Sequence, residues 1–164
     1  MCDLSRQEIY ILKSLASLRN QKIFRVCMHI NDDSKIHEML MIHVIPVTLG
    51  PLKQEKSSLS YHLIEGELSI KVFNDEGIKP YEHKLSVHNG HQFLRLEANK
   101  FRLISTLSKY AIFLEIANGP FNDSDTIWFN SQSHIYREND LENLKQCRDM
   151  GVYGIITDNY NFYH

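Results

Sequence analysis

A chain of 164 residues is long enough for one domain with a sizeable core, and 43% hydrophobic against 23% charged residues is the balance of a globular protein, not a disordered one. The formal net charge of −2, with no basic stripe, argues against nucleic acid as a partner. No apolar run reaches the roughly 18 residues that a membrane span needs. The first residues, Met1-Cys2-Asp3-Leu4-Ser5, lack the basic-then-apolar pattern of a secretory leader, so a cytoplasmic location is expected. Cys2, Cys27 and Cys147 form no CxxC pair, and such a sparse, odd set fits a reducing compartment.

In chain order the first predicted element is a helix over residues 5–18. Ser5 and Glu8 have the spacing of a capping box, and Ile9, Leu12, Leu15, Ala16 and Leu18 follow at helical intervals. The period then changes to two. Phe24, Val26, Met28 and Ile30 alternate with Arg25, Cys27 and His29, which predicts a half-buried strand over 24–30. Residues 39–47 are apolar almost throughout, as in a strand covered on both faces.

Further strands are expected at 59–65, ending at Gly66, and at 67–73, ending in the turn Asn74-Asp75-Glu76-Gly77. Residues 84–87 form another strand before the turn Asn89-Gly90, and 101–107 and 110–116 read as a hairpin. Many short strands joined by turns imply a β-sandwich or barrel. Beyond Trp128 a short helix over 141–150 is expected, capped by Asn139 or Asp140 and stopped by Gly151, followed by a tail rich in Tyr, Phe and Asn.

Several landmarks in order carry a family resemblance. They are Arg25-Val26-Cys27-Met28-His29, Pro51, Leu63-Ile64-Glu65-Gly66-Glu67-Leu68, Phe73-Asn74-Asp75-Glu76-Gly77 and Leu114-Glu115-Ile116-Ala117-Asn118-Gly119-Pro120-Phe121. From about Leu18 to Phe121 the chain resembles the WbuC family of cupin-fold metalloproteins, associated with bacterial O-antigen and other surface-polysaccharide gene clusters. The resemblance implies a mostly β fold: a cupin (double-stranded β-helix, jelly-roll) barrel over 22–130, an N-terminal helix over 1–21 packed on it, and a C-terminal helix and tail over 131–164. It also implies a homodimer.

The departure from the family is informative. Counted from Pro51 and from Gly119-Pro120, the positions that hold the family's metal are Leu52, Gln54, Leu59 and Arg102. Leu has no lone pair to donate, neutral Gln is a weak ligand, and Arg stays protonated. A divalent ion about 4 Å from Arg102 meets repulsion on the order of 8 kcal/mol at an effective dielectric of about 20. No metal and no other cofactor is therefore expected. The nine His residues offer only one close pair, His88 and His91, on a predicted turn with no third ligand.

If Leu59 keeps the inward direction of the family's lost Glu, Tyr61 and Leu63 point inward with it. The resemblance then implies a pocket lined by Arg102, Gln54 and Tyr61, with Arg25, His29 and Glu115 as further members. Arg102 has two readings: it holds an anionic or sugar-nucleotide ligand, or it pairs internally with Glu115. The leading functional expectation is a metal-free binding or accessory protein of surface-polysaccharide biosynthesis. A metal-independent isomerase or epimerase on a nucleotide-sugar, with His29 as base and Tyr61 as acid, is a second expectation. A purely structural homodimer is a third.

Overall fold

The computed structural model describes residues 4–18, 22–73, 80–88 and 90–129. The expected turn at 74–77, residue Asn89, the helix over 141–150 and the tail lie outside the described residues. Helix α1 (Arg6–Leu18) begins at its predicted capping box. The Glu8 amide donates to Ser5 Oγ at 3.3 Å, and Glu8 Oε2 accepts from the Ser5 amide at 2.7 Å and from the Ser5 hydroxyl at 2.6 Å. These bonds hold the Glu8 carboxyl below its ordinary pKa.

The described strands are β1 (Ile23–Cys27), β2 (Ile36–His43), β3 (Thr48–Gln54), β4 (Leu59–Val72), β5 (Tyr81–Ser86), β6 (Phe93–Leu96), β7 (Arg102–Asn118) and β8 (Thr126–Trp128). All their pairings are antiparallel. They form one continuous sheet rather than two separate ones, because β4 and β7 each serve both halves of the barrel. The N-terminal half of β4 and the C-terminal half of β7 pair with each other between β6 and β2, with β1 beyond β2. Their other halves pair with each other between β5 and β3, with β8 beyond β3.

Three predicted boundaries are corrected. The strand expected at 24–30 stops at Cys27, and Ile30, predicted to face the core, is 96% exposed. The strands expected at 59–65 and 67–73 are one 14-residue strand, β4, and the hairpin expected over 101–116 is one 17-residue strand, β7. Gly66 looks like a turn in the sequence but sits in a bulge, where the β4–β7 register shifts twice between Leu63 and Leu68. Its φ of +85° suits glycine, and a Cβ there would collide with the Tyr110 carbonyl oxygen and lie 2.7 Å from Ser108 Oγ. Gly66→Ala is expected to cost about 2–4 kcal/mol, from the left-handed conformation and the displaced strand together. Urea denaturation of the variant checks this, and a loss under about 1 kcal/mol would contradict the bulge geometry.

Alternation assigns the two faces. Met39 and Met41 from β2, Leu59, Tyr61, Leu63, Leu68 and Ile70 from β4, and Ile104, Ala111, Phe113 and Ala117 from β7 meet in one inner core with Leu85 and Leu96. Residues from both halves of the sheet share that cluster, so the halves face each other. On the outside, Leu40, Ile42 and Ile112 pack with Leu4, Ile9 and Leu12 of the helical segment and with Phe24, Val26 and Val44. This explains why the middle of β2 is apolar on both faces. Each Leu or Ile so covered contributes roughly 1.5–3 kcal/mol.

Candidate functional site

Arg102 opens β7 and is only 3% exposed. Its Cα partners are Leu52 on β3 and Val72 on β4, and its side chain reaches across the barrel to the other half of the sheet. There its Nε donates to the Tyr61 hydroxyl at 2.7 Å, while Nη1 makes a long 3.5 Å approach to the Leu52 carbonyl. Tyr61 is fully buried, in the inward row Leu59–Tyr61–Leu63 expected from the resemblance together with alternation. Glu115 stands directly opposite Tyr61 on the β4–β7 ladder, and its carboxylate interacts with the same phenol.

The phenol therefore lies between a cation and an anion. Burial pushes its pKa well above the usual tyrosine range; Arg102 opposes that shift and Glu115 adds to it. Arg102 and Glu115 do not form an ion pair: among the described residues no carboxylate lies within 4.0 Å of the guanidinium.

Gln54 is two residues beyond Leu52 on the same face of β3, half-buried, with its Oε1 buried and without a hydrogen-bond partner among the described residues. Arg25 is half-buried on β1, with Nη1 3.6 Å from Met39 Sδ, and Met39 is the β2 partner of Glu115. Arg25, Tyr61, Arg102, Glu115 and Gln54 thus stand on strands whose inward faces meet.

His29 lies past the end of β1. Its Nδ1 is 3.2 Å from the Glu38 carbonyl, and its ring stacks 4.1 Å from that of His37. His37 Nε2 is 3.0 Å from the Asp32 carbonyl. A carbonyl only accepts, so both of these ring nitrogens carry the proton. The hydrogen bonds of His29 and Tyr61 go to different partners, and none joins the two.

Of the nine histidines the sequence reading names only His29 as a pocket member, and among the described residues two others are buried. His37 is 4% exposed, and His43 is fully buried on the inward row of β2. Its Nδ1 is 2.7 Å from Thr106 Oγ1, its ring meets Phe113 edge-on at 5.1 Å, and its Nε2 has no partner among the described residues. Burial lowers its pKa to about 4, so the imidazole is neutral. The alternation of 37, 39, 41 and 43 carried this signal, but the strand was started too late to include His37.

No family model matches the chain, and neither does any curated protein. Solved structures do. The capsular polysaccharide assembling protein CapF from Staphylococcus aureus matches with a TM-score of 0.52 and 12% identity over 65% of this chain and 33% of that one. Oxalate decarboxylase from Bacillus subtilis matches with a TM-score of 0.52 and 13% identity over 79% of this chain and 32% of that one. Peruvianin-I, a cysteine peptidase from Thevetia peruviana latex, matches with a TM-score of 0.53 and 8% identity over 66% of this chain and 68% of that one.

The fold is that of a cupin barrel. This chain spans about a third of the length of CapF and of the decarboxylase. Identities this low establish the fold alone, and the three proteins are named for unrelated tasks, so the cupin fold selects none of them.

The residues at the positions that the resemblance assigns to a metal do not fit one. Leu52 and Leu59 are buried and carry no donor atom, and the Arg102 guanidinium points at Tyr61. Among the described residues no three His, Cys, Asp or Glu side chains gather at a spacing that would hold an ion.

Proposed function

We propose that this cupin is a metal-independent binding or accessory protein of bacterial surface-polysaccharide biosynthesis, with an anionic sugar or sugar-nucleotide held by Arg102. The observation that carries the reading is the guanidinium itself, 3% exposed and without a carboxylate within 4.0 Å among the described residues. A buried charge whose nearest anion, Glu115, is held off by the Tyr61 phenol is costly, and an anionic ligand in direct contact relieves that cost. The WbuC-like landmarks and the likeness to CapF support the link to polysaccharide assembly. The same resemblance supports a homodimer.

The isomerase or epimerase reading draws no support from the site. His29 is tied to Glu38 and His37, and a phenol whose pKa is raised by burial is a weak acid.

Thermal melting with UDP-glucose, UDP-glucuronate, glucose 1-phosphate and inorganic phosphate tests the proposal. At least one is expected to raise the melting temperature, since a ligand at a hundred times its Kd contributes about 2.7 kcal/mol. No shift with any of them at 10 mM (an excess over any Kd below about 0.1 mM by the same relation) would remove it.

A further inference from the structure

We infer that the group this pocket recognises is a sugar acid: a carboxylate for Arg102, a hydroxyl of the same molecule for Gln54, and a ring face against Trp128. The inference rests on the reading of the Arg102 pocket as a ligand site.

It starts from the ladder register. Val72, Arg102, Leu52 and Trp128 are successive Cα partners across β4, β7, β3 and β8, and Gln54 pairs with Thr126 in the adjacent row of the same face. In-register residues stand on one face of a sheet. The Arg102 side chain reaches Tyr61 in the inner core, so this face is the inward one. Trp128, the single tryptophan of the chain, is half-buried on that face beside Leu52, with Gln54 one row away.

The polar atoms then define the ligand. A guanidinium has five N–H donors, and among the described residues Nε makes the only short bond, while the Leu52 carbonyl is 3.5 Å from Nη1. The outer nitrogens keep donors for a planar, two-oxygen acceptor. Gln54 Oε1 is the opposite case, a buried acceptor with no donor among the described residues. One ligand therefore needs an acceptor and a donor. A neutral sugar lacks the anion, and inorganic phosphate, which keeps an O–H donor at neutral pH, has no apolar face for the indole of Trp128. A simple carboxylate leaves Gln54 unanswered. A hydroxylated carboxylic acid satisfies both, and when its hydroxyls are carried on a pyranose ring, the apolar ring face suits the indole.

The test uses the full chain and two readouts, the fluorescence of Trp128 and titration calorimetry, so that a silent fluorophore is not taken for absence of binding. The probes are D-glucuronate, D-glucose, acetate and inorganic phosphate. Glucuronate is expected to bind at least tenfold more tightly than any of the other three and to shift the emission of Trp128. Gln54→Leu should reduce glucuronate to the affinity of acetate while leaving acetate unchanged, and Arg102→Leu should abolish binding of both.

If acetate or phosphate binds as tightly as glucuronate, or if Gln54→Leu keeps the preference, the sugar-acid assignment is wrong while the anion pocket stands. If none of these probes binds and the nucleotide-sugars also fail, the pocket reading itself falls.

Discussion

Arg102→Leu is expected to leave the ligand-free protein close to its parent in stability while weakening anion binding by at least about a hundredfold. Removing a buried charge that has no direct counter-ion relieves its desolvation cost, which offsets the space that the shorter leucine leaves unfilled. The charge-assisted bond to Tyr61 at 2.7 Å pulls the other way, by about 1.5–3 kcal/mol. The net loss should therefore stay below about 2 kcal/mol. Binding has no such offset, because an anion left facing Leu loses its only full charge partner, worth roughly 2–5 kcal/mol.

The alternative is that Arg102 and Glu115 act as one internal pair through the Tyr61 phenol. Then the single change would strand Glu115 and cost roughly 3–5 kcal/mol, and adding Glu115→Gln would restore part of it. A double-mutant cycle by chemical denaturation separates the two, with a coupling above about 1 kcal/mol favouring the internal pair.

Acid should destabilise the protein through His43. Its pKa is lowered by burial to about 4 in the fold, against an ordinary value of 6.5 in the unfolded chain. A depressed pKa means that the fold excludes the proton, so this contribution is complete above pH 6.5 and is lost as the pH falls towards 4. The full loss is roughly 3 kcal/mol, at about 1.4 kcal/mol for each pH unit of difference. His43→Leu removes the titrating group. Denaturation at pH 7.5, 5.5 and 4.5 should show the parent losing about 2.5 kcal/mol more stability than the variant by pH 4.5, and parallel curves would show that His43 is not the group responsible.

How much of this was legible in the sequence depended on whether the signal was local. The capping box at Ser5 and Glu8 placed α1 to within a residue, since its hydrogen bonds are made three residues apart. With Leu59 set inward by the resemblance, alternation placed Tyr61 and Leu63 inward with it, because a strand fixes which residues share a face. Gly66 misled because the same residue that closes a turn also permits a bulge, and only the distant Tyr110 strand decides between them. The missed strand β6 has four residues, too few for a period to show.

The candidate site residues came from the resemblance rather than from a local signal. Arg102, Tyr61 and Glu115 were anticipated, but not the order of their contacts, with the phenol between the two charges. Trp128 was passed over, because its place beside Leu52 depends on β8 pairing with a strand more than seventy residues earlier in the chain.

The sharing of β4 and β7 between both halves of the barrel also bears on how the protein folds. Their ladder begins where Val72 meets Arg102 and ends where Leu59 meets Ala117, so loop closure becomes more demanding with every rung. Contacts this distant in sequence make for slow folding. Arg102 lies at the first rung and Tyr61 near the last, so their bond can form only when the ladder is complete. Neither half keeps the Arg102–Tyr61 contact without the other. Amide exchange at Tyr61 and Arg102 should accordingly occur only through global unfolding, at the same free energy for both residues, and the pocket should appear in refolding together with the last native signal.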